Sequence, residues 1–325
     1  MKIFGFFYSI IVGLLLIIAG FVAVNFHKAI LPEAKLSFSP LPSSFILTAN
    51  AQVTTLDFWI PKQSVLGQQT MQPEITAKSG LAYDVTTNQV LFEKNIQEKL
   101  PMASLTKIMT AIVALEHKKS YDNYLVTSES LVGEDSMGLT EGETLTLKEL
   151  LYGLFLHSGN DAAVTIALNF PGGVKEFTDA MNQKAKALGL KNTHFTNPSG
   201  LEGDGNQYTT VYDLLVMTKY GLQHFADFGE VAATVEHIIS QTGTHKEYDL
   251  INETNLLTSY PGVKGIKTGF TPEAGLCLVT YLDYENHHII GVILGSTNRK
   301  GDMKEILDYS SKSLKYYPID FNVKC

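Results

Sequence analysis

A serine and a lysine three residues apart, Ser104 and Lys107, form the pair in this sequence best suited to nucleophilic chemistry. A helix places positions i and i+3 on one face, so the lysine amine can reach the serine hydroxyl. A lysine whose pKa is lowered by desolvation can take the proton of a serine and activate it as a nucleophile. The same spacing is expected by chance about once in a chain of this length, so further evidence is needed.

Two more polar clusters lie downstream. Ser158-Gly-Asn160 separates two apolar helical segments, and it is either a helix break with capping side chains or part of a site. In a site, Ser158 would relay a proton and the Asn160 amide would hold a substrate peptide group. Lys267-Thr268-Gly269 ends a predicted strand. It is either an exposed strand end or an edge strand that binds an extended peptide by main-chain pairing. In the second case, Lys267 and Thr268 could bind an anion, and Gly269 would let the backbone approach closely.

The elements that must position these clusters change type along the chain. Strands are predicted at 79–85, 89–93, 265–268, 276–281 and 288–295. Helices are predicted at 101–117, 145–157, 161–169, 175–188, 210–220 and 303–316. Strands at both ends with helices between them predict an α/β (α+β) fold. Its antiparallel sheet comes from the first and last thirds of the chain, is flanked by helices and carries a helical insertion.

The composition excludes several classes of protein. The 325 residues are 45% hydrophobic and 18% charged, which is not typical of a disordered chain, a collagen or a coiled coil. The net charge is −8 and no polybasic run is present, so no nucleic-acid partner is expected. The two cysteines, Cys277 and Cys325, cannot build a disulfide framework. No C-x-x-C or H-E-x-x-H spacing occurs, so we expect no structural zinc site.

The N-terminal segment indicates the compartment. Residues 3–24 carry no charge and, as a helix, are about 33 Å long, enough to cross a bilayer core. The run is longer than a signal-peptide core and lacks a good nearby cleavage site, so we expect residues 1–26 to be an uncleaved single-pass anchor. A cleaved signal peptide is the alternative. Residues 27–72 would form an extracytoplasmic linker, and residues 73–325 a catalytic domain outside the cytoplasm at the cell membrane.

The three clusters taken in order, S-x-x-K, S-x-N and K-T-G, resemble the signature of active-site-serine penicillin-recognising enzymes. The resemblance is closest to the low-molecular-mass D-alanyl-D-alanine carboxypeptidases of the peptidase S11 type. It is carried by residues 100–110, 141–143, 150–153, 158–162, 197–201 and 261–271, and it runs from about residue 74 to about residue 317. It implies a β-lactamase/DD-peptidase-like fold and an enzyme that removes the terminal D-alanine from peptidoglycan stem pentapeptides.

The resemblance also implies how the reaction would run. Ser104 would attack the D-Ala-D-Ala carbonyl, Lys107 would take its proton, and Ser158 would help pass a proton to the leaving amine. The backbone N–H groups of Ser104 and Phe270 would form the oxyanion hole, where two donors stabilise the transition state by several kcal/mol. Phe270 stands where some relatives have histidine, and since only its N–H would be used, we expect little effect of that difference.

A second set of residues would bind the substrate. The resemblance implies that Asn160 would bind the substrate backbone. It also implies that Lys267 and Thr268 of the K-T-G motif would lie near the terminal carboxylate. Arg299 is the only arginine among 25 basic residues. It precedes the predicted last helix, near the K-T-G strand, and a guanidinium can bind a carboxylate through two parallel hydrogen bonds. The alternative is that Arg299 is an ordinary surface arginine with no role in binding. Gln207 stands where relatives often have histidine, and the sequence assigns it no role.

The expected partners are peptidoglycan stem peptides, β-lactam antibiotics as covalent inhibitors, and the membrane through the N-terminal segment. A DD-endopeptidase that cleaves peptidoglycan crosslinks carries the same motifs and is the main alternative. A β-lactamase needs a fast deacylating base, such as a glutamate acting through water, and is a less favoured alternative. A non-catalytic penicillin sensor needs cytoplasmic signalling segments, where only Met1 and Lys2 would lie.

Overall fold

The computed structural model describes residues 71–117, 123–202 and 206–316. The strands in these ranges are β1 (Ser79–Asp84), β2 (Gln89–Lys94), β3 (Asn123–Leu125), β4 (Thr144–Thr146), β5 (Glu236–Ile239), β6 (Tyr248–Ile251), β7 (Val263–Thr271), β8 (Gly275–Tyr284) and β9 (His287–Ser296). Five of them form an antiparallel sheet in the order β2-β1-β9-β8-β7. The sheet is thus built from the two ends of the described chain, which confirms the predicted fold class.

Helices fill the middle of the chain and its C-terminal part. They are α1 (Lys107–Glu116), α2 (Leu147–Leu156), α3 (Asn160–Leu168), α4 (Gly173–Ala187), α5 (Val211–His224), α6 (Ala226–Ala232), α7 (Leu256–Ser259) and α8 (Arg299–Tyr316), with short 3-10 turns at Ala103–Thr106 and Ser128–Ser130. The Thr146 hydroxyl accepts from the Glu149 N–H, and the Glu149 carboxylate accepts from the Thr146 N–H. This reciprocal capping begins α2 directly after β4.

The central strands have apolar cores on both sides. On one face, side chains of α8 such as Met303 and Ile306 pack against Leu278 and Ile293. On the other face lies the larger core, which includes α1. Because both faces are covered, β8 and β9 are continuous apolar runs rather than alternating ones. The first eight residues of α1 are all buried, as expected for a helix that is apolar on every side.

The structure corrects two sequence-based expectations and adds two hairpins. The helix predicted for 101–117 begins as a 3-10 turn, and only from Lys107 is it an α-helix. The last helix begins at Arg299 rather than at residue 303, so Arg299 lies inside it and not before it. The hairpins β3–β4 and β5–β6 were not predicted, because strands of three or four residues carry too short an alternation to be recognised.

Two predicted segments lie outside the described residues: the anchor at 1–26, and the linker at 27–72 apart from its last two positions. Within the described ranges, no helix combines the length and the apolar character that crossing a bilayer requires.

Candidate active site

Ser104 and Lys107 meet at the junction between the 3-10 turn and α1. The Lys107 Nζ lies 2.9 Å from the Ser104 Oγ, as the i, i+3 spacing predicted. Both side chains are buried, with Ser104 7% and Lys107 0% exposed. The turn begins at Ala103, whose φ of 48° is a left-handed conformation that non-glycine residues rarely adopt. Backbone strain of this kind is concentrated at functional sites.

The Lys107 amine has two further partners, which identify the direction of its hydrogen bonds. Its Nζ lies 2.7 Å from the Asn160 Oδ1 and 2.6 Å from the main-chain oxygen of Ser199. Carbonyl oxygens can only accept, so two N–H bonds of the amine point to these atoms. A neutral amine has two N–H bonds and one lone pair. In that state, the lone pair faces the Ser104 hydroxyl, which is the arrangement a general base requires.

The surroundings of Lys107 favour this neutral state. Burial lowers the pKa of Lys107 well below its ordinary value, and the positive charge of Lys267 lowers it further. The negative charges of Asp135, Asp161 and Glu253 act in the opposite direction and are outweighed. The amine is therefore able to take a proton from Ser104 at a pH where an exposed lysine is fully protonated.

The S-x-N cluster forms the short connection between α2 and α3. Ser158 is 3% exposed and has a left-handed φ of 56°. Asn160 is the first residue of α3, and its side chain brings the cluster to Lys107. The hydrogen bonds of the Lys107 amine go to Ser104, Asn160 and Ser199 and not to Ser158. Ser158 is two residues before Asn160, a direct partner of Lys107, and its proton-relay role stays a prediction.

Asp161, which sequence reasoning missed, organises the loop next to this cluster. Its buried carboxylate accepts hydrogen bonds from the Ser136 hydroxyl at 2.5 Å and from the N–H groups of Met137, Gly138 and Leu139 at 2.9–3.0 Å. The same loop provides the main-chain oxygen of Asp135, which accepts from the Asn160 N–H at 2.7 Å. An aspartate inside an apolar helical segment was the available signal, since a buried carboxylate needs partners.

The K-T-G motif lies on β7, at the edge of the sheet. Lys267 and Thr268 are 1% and 5% exposed, and the Lys267 Nζ donates to the main-chain oxygen of Thr268 at 3.0 Å. Burial and the nearby Arg299 charge lower the pKa of Lys267 to about 8, against the opposing effect of Glu253 and Asp135. Among the described residues, no carboxylate forms an ion pair with Lys267, so this buried cation is suited to receive the carboxylate of a ligand.

Gly269 brings β7 against the turn that carries Ser104. A Cβ atom at this position would lie 3.1 Å from the main-chain oxygen of Met102 and 3.2 Å from the main-chain nitrogen of Ser104. The absence of a side chain therefore lets the strand approach the turn, as predicted. The next residue, Phe270, has an exposed side chain, and its backbone continues along the same strand.

Arg299 reaches the site from the start of α8. Its NH1 donates to the main-chain oxygen of Gly269 at 3.4 Å, and the side chain is partly buried. Strand β9, which leads into α8, is not a neighbour of β7, because β8 lies between them. The guanidinium therefore spans the width of β8 to lie beside the K-T-G motif. Burial lowers the pKa of Arg299 from its ordinary value.

The loop at 196–201 holds the turn from the other side, and sequence reasoning assigned no role to Gln207, which supports this loop. The Gln207 Oε1 accepts from the N–H groups of Thr196 and Asn197 at 3.1 and 3.3 Å. The Asn197 Oδ1 accepts in turn from the N–H groups of Ser199 and Gly200. Ser199 acts on Lys107 through its main-chain oxygen, so no side-chain pattern could have revealed it. Among the described residues, no three His, Cys, Asp or Glu side chains are grouped as a metal site.

Comparison with known proteins identifies this arrangement. The profile of the peptidase S11 family, described as D-alanyl-D-alanine carboxypeptidase, matches residues 67–298. The chain belongs to this family. This S11 peptidase is 36% identical over 262 residues to the D-alanyl-D-alanine carboxypeptidase DacF of Bacillus subtilis (strain 168), covering 78% of its own chain and 67% of the relative.

Two other similar proteins extend the comparison. A D-alanyl-D-alanine endopeptidase of Pseudomonas aeruginosa is 32% identical over 213 residues, covering 64% of this S11 peptidase and 68% of the relative. The crystal structure of the Streptomyces K15 DD-transpeptidase superimposes with a TM-score of 0.69 at 31% identity, covering 74% of this chain and 99% of that one. The family, the DD-peptidase fold and the assignment to serine hydrolases were all predicted from the sequence, and all three are confirmed.

Proposed function

We propose that this S11 peptidase is a D-Ala-D-Ala carboxypeptidase that removes the terminal D-alanine from peptidoglycan stem pentapeptides through an acyl-enzyme on Ser104. The observation that carries the proposal is the Lys107 amine. Two acceptor-only oxygens, those of Asn160 and Ser199, orient its N–H bonds and leave its lone pair for the Ser104 hydroxyl. Family membership supports the substrate class.

Acylation begins when the Ser104 Oγ attacks the carbonyl carbon of the penultimate D-alanine and Lys107 takes the hydroxyl proton. The negative charge that develops on the carbonyl oxygen is stabilised by the N–H groups of Ser104 and Phe270. Gly269 supports this pairing because it lets β7 lie against the Ser104 turn. When the C–N bond breaks, the proton passes from Lys107 through Ser158 to the leaving amine of D-alanine.

Deacylation repeats these steps with water as the nucleophile. Lys107, neutral again after it has given up its proton, takes a proton from water, and the hydroxide attacks the ester carbonyl. The Ser104 oxygen leaves and recovers a proton from Lys107, which restores the starting state. No metal or cofactor enters this cycle.

Substrate binding uses the edge of the sheet and the group of cations at its end. The stem peptide extends along β7, with its backbone also held by the Asn160 amide. The terminal carboxylate lies between Lys267, Thr268 and Arg299. The burial of Lys267 and the approach of Arg299 to Gly269 support this placement. A carboxypeptidase needs such a pocket because its substrate ends in a free carboxylate.

The decisive experiment measures D-alanine release by the full-length chain in detergent. Diacetyl-Lys-D-Ala-D-Ala is the test peptide, and Ser104→Ala is the control variant. We expect release of one equivalent of D-alanine per peptide by the wild type and none by the variant. Absence of release by a wild type that is labelled by penicillin would exclude the carboxypeptidase activity.

A DD-endopeptidase is the second candidate, because a relative of 32% identity carries that name. It is tested with purified crosslinked muropeptides under the same conditions. Faster cleavage of the crosslink than of the pentapeptide would favour the endopeptidase. In either case β-lactam antibiotics are expected to acylate Ser104, since they present a reactive carbonyl and a carboxylate to the same groups.

We further infer that residues 3–24 anchor the chain in the cell membrane with its catalytic domain on the outside. The uncharged run of membrane-spanning length supports this placement. The anchored protein should stay with the membrane in high salt and keep its original N-terminus, as determined by mass spectrometry of the mature chain. A mature N-terminus near Gln52 would show instead that the segment is a cleaved signal peptide.

A further inference from the structure

The Arg299 side chain makes few contacts that hold it in the site. Within the part of the chain that the structure describes, its side chain donates one hydrogen bond, to Gly269, and at 3.4 Å this bond is long. An arginine side chain has many rotamers. Because its own contacts here are weak, the position of the guanidinium depends on the backbone from which the side chain extends. What fixes the backbone around Arg299 therefore also determines where its charge lies.

The buried carboxylate of Asp302 is the centre of that support. Asp302 is three residues after Arg299 in the first turn of α8, where a negative charge also suits the helix dipole. Its oxygens accept four hydrogen bonds of 2.6–2.9 Å, and Asp302 is 4% exposed. The donors are the Thr76 N–H, the Thr76 hydroxyl, the Ala77 N–H and the Ser296 hydroxyl.

The two hydroxyls extend this support to the residues just before Arg299. The Thr76 Oγ1 accepts from the Thr297 N–H at 3.0 Å, and the Ser296 Oγ accepts from the Asn298 N–H at 2.9 Å. Each hydroxyl gives its proton to Asp302 and receives an N–H from the chain. The backbone on both sides of Arg299 is thus tied to one carboxylate.

We propose that Asp302, acting through the hydroxyls of Thr76 and Ser296, is a positioning residue for Arg299 and thereby sets how well the site holds the carboxylate of its substrate. The proposal rests on the role given to Arg299 under the proposed function. It also gives the segment before β1 a part in recognition, since Thr76 lies 226 positions from Asp302 in the chain.

The other side of the molecule offers a matched control. Asp84 is also buried, and it accepts from the Thr87 hydroxyl at 2.6 Å and from the Thr86 N–H at 2.9 Å in the turn between β1 and β2. Thr87→Val removes a hydroxyl that donates to a buried aspartate, as Thr76→Val does. In the described structure, however, no contact links this turn to Arg299. The pair separates an effect on recognition from a general loss of stability.

The experiment compares acylation of the full-length chain by two reagents. Benzylpenicillin carries a carboxylate, and a thioester without a carboxylate serves as the second reagent. We expect Thr76→Val to slow acylation by penicillin roughly 3–10-fold, about the effect of losing one hydrogen bond between Arg299 and the carboxylate, with a much smaller effect on the thioester. Ser296→Ala should act in the same way, Thr76→Ser should restore the rate, and Thr87→Val should alter neither reagent. In an Arg299→Ala background, Thr76→Val should have no further effect.

Three results would overturn the proposal: equal losses with both reagents, no loss with either, or an undiminished effect of Thr76→Val in the Arg299→Ala background. The test does not depend on peptide hydrolysis. A wild type that reacts with penicillin but releases no D-alanine would exclude the proposed carboxypeptidase activity, while the selectivity for penicillin over the thioester would still decide the positioning role.

Discussion

The Lys107 Nζ lies 2.7 Å from the Asn160 Oδ1, although the two residues are 53 positions apart in the chain. This contact joins the S-x-x-K and S-x-N motifs into one site. It also uses the amide oxygen of Asn160, so the amide nitrogen is the part of the side chain left to donate to other groups. The identity of residue 160 should therefore control the protonation of Lys107.

Asn160→Asp should shift the acidic limb of the kcat/KM profile to higher pH. A carboxylate beside an amine favours the charged amine and raises its pKa by about 1–3 units, so Lys107 would stay protonated at neutral pH. Because the base must be neutral, activity at pH 7 should fall and recover as the pH rises. Asn160→Ala is the control, since it removes the oxygen without adding charge. Identical limbs in the two variants would contradict the prediction.

The alkaline limb of the kcat/KM profile should reflect the deprotonation of Lys267. The pKa of Lys267 is lowered to about 8, so the side chain is charged below that pH and neutral above it. Since the substrate carboxylate needs a cation, kcat/KM for diacetyl-Lys-D-Ala-D-Ala should decrease as the pH rises through about 8. A thioester without a carboxylate should show a much weaker decrease. The assignment fails if both substrates lose activity along the same curve.

Gly200→Ala should disturb the Ser104 turn. Gly200 has a φ of 90°, and a Cβ there would lie 2.0 Å from the main-chain oxygen of Ala103. Gly189→Ala is a matched control, because its φ is 73° but nothing lies near an added Cβ. Both variants should lose about 1–2 kcal/mol of stability through the unfavourable φ, and Gly200→Ala should lose more because its Cβ collides with the Ala103 backbone. Only Gly200→Ala should also slow acylation by penicillin. Equal acylation rates in the two variants would show that the close approach does not matter.

Ser104→Ala should abolish covalent labelling by a fluorescent penicillin as well as turnover. Mass spectrometry of the labelled wild type should place the adduct on the peptide that contains Ser104. Cys277 is not a competing nucleophile, because burial raises the pKa of its thiol to about 11 and the thiolate is the reactive form. Labelling that survives in the variant, or an adduct on another peptide, would refute the mechanism.

Arg299→Ala should lower kcat/KM for diacetyl-Lys-D-Ala-D-Ala by roughly 10–150-fold, because a hydrogen bond to a charged group contributes about 1.5–3 kcal/mol. Arg299→Lys should recover only part of this loss, since an ammonium cannot form two parallel bonds. The loss for a thioester that lacks the carboxylate should be smaller. Parallel losses for the two substrates would remove Arg299 from the carboxylate pocket.

Much of the site could be predicted because side-chain type and spacing carry it. The spacing of Ser104 and Lys107 predicted their contact, and Gly269 predicted a close backbone approach. The contact from Ser199 could not be predicted, since a main-chain oxygen leaves no mark in the sequence. The apolar pattern predicts the start of the last helix too late in the chain, because the first turn of this helix, with Gly301 and Asp302, has no apolar periodicity. Asn298, whose Oδ1 accepts from the Gly301 N–H, was the available capping signal.

The pairing of β1 with β9 has a consequence for the order of events in folding. Asp84, the last residue of β1, is hydrogen bonded to His287, the first residue of β9, although the two are 203 positions apart in the chain. Strand β1 cannot find its inner neighbour until nearly all of the described chain has emerged, and closing so long a loop is slow. Since β7 and α8 position Lys267 and Arg299 only within the completed sheet, ability to react with penicillin should appear late in folding. Penicillin labelling of newly synthesised chains would then measure the completion of their folding.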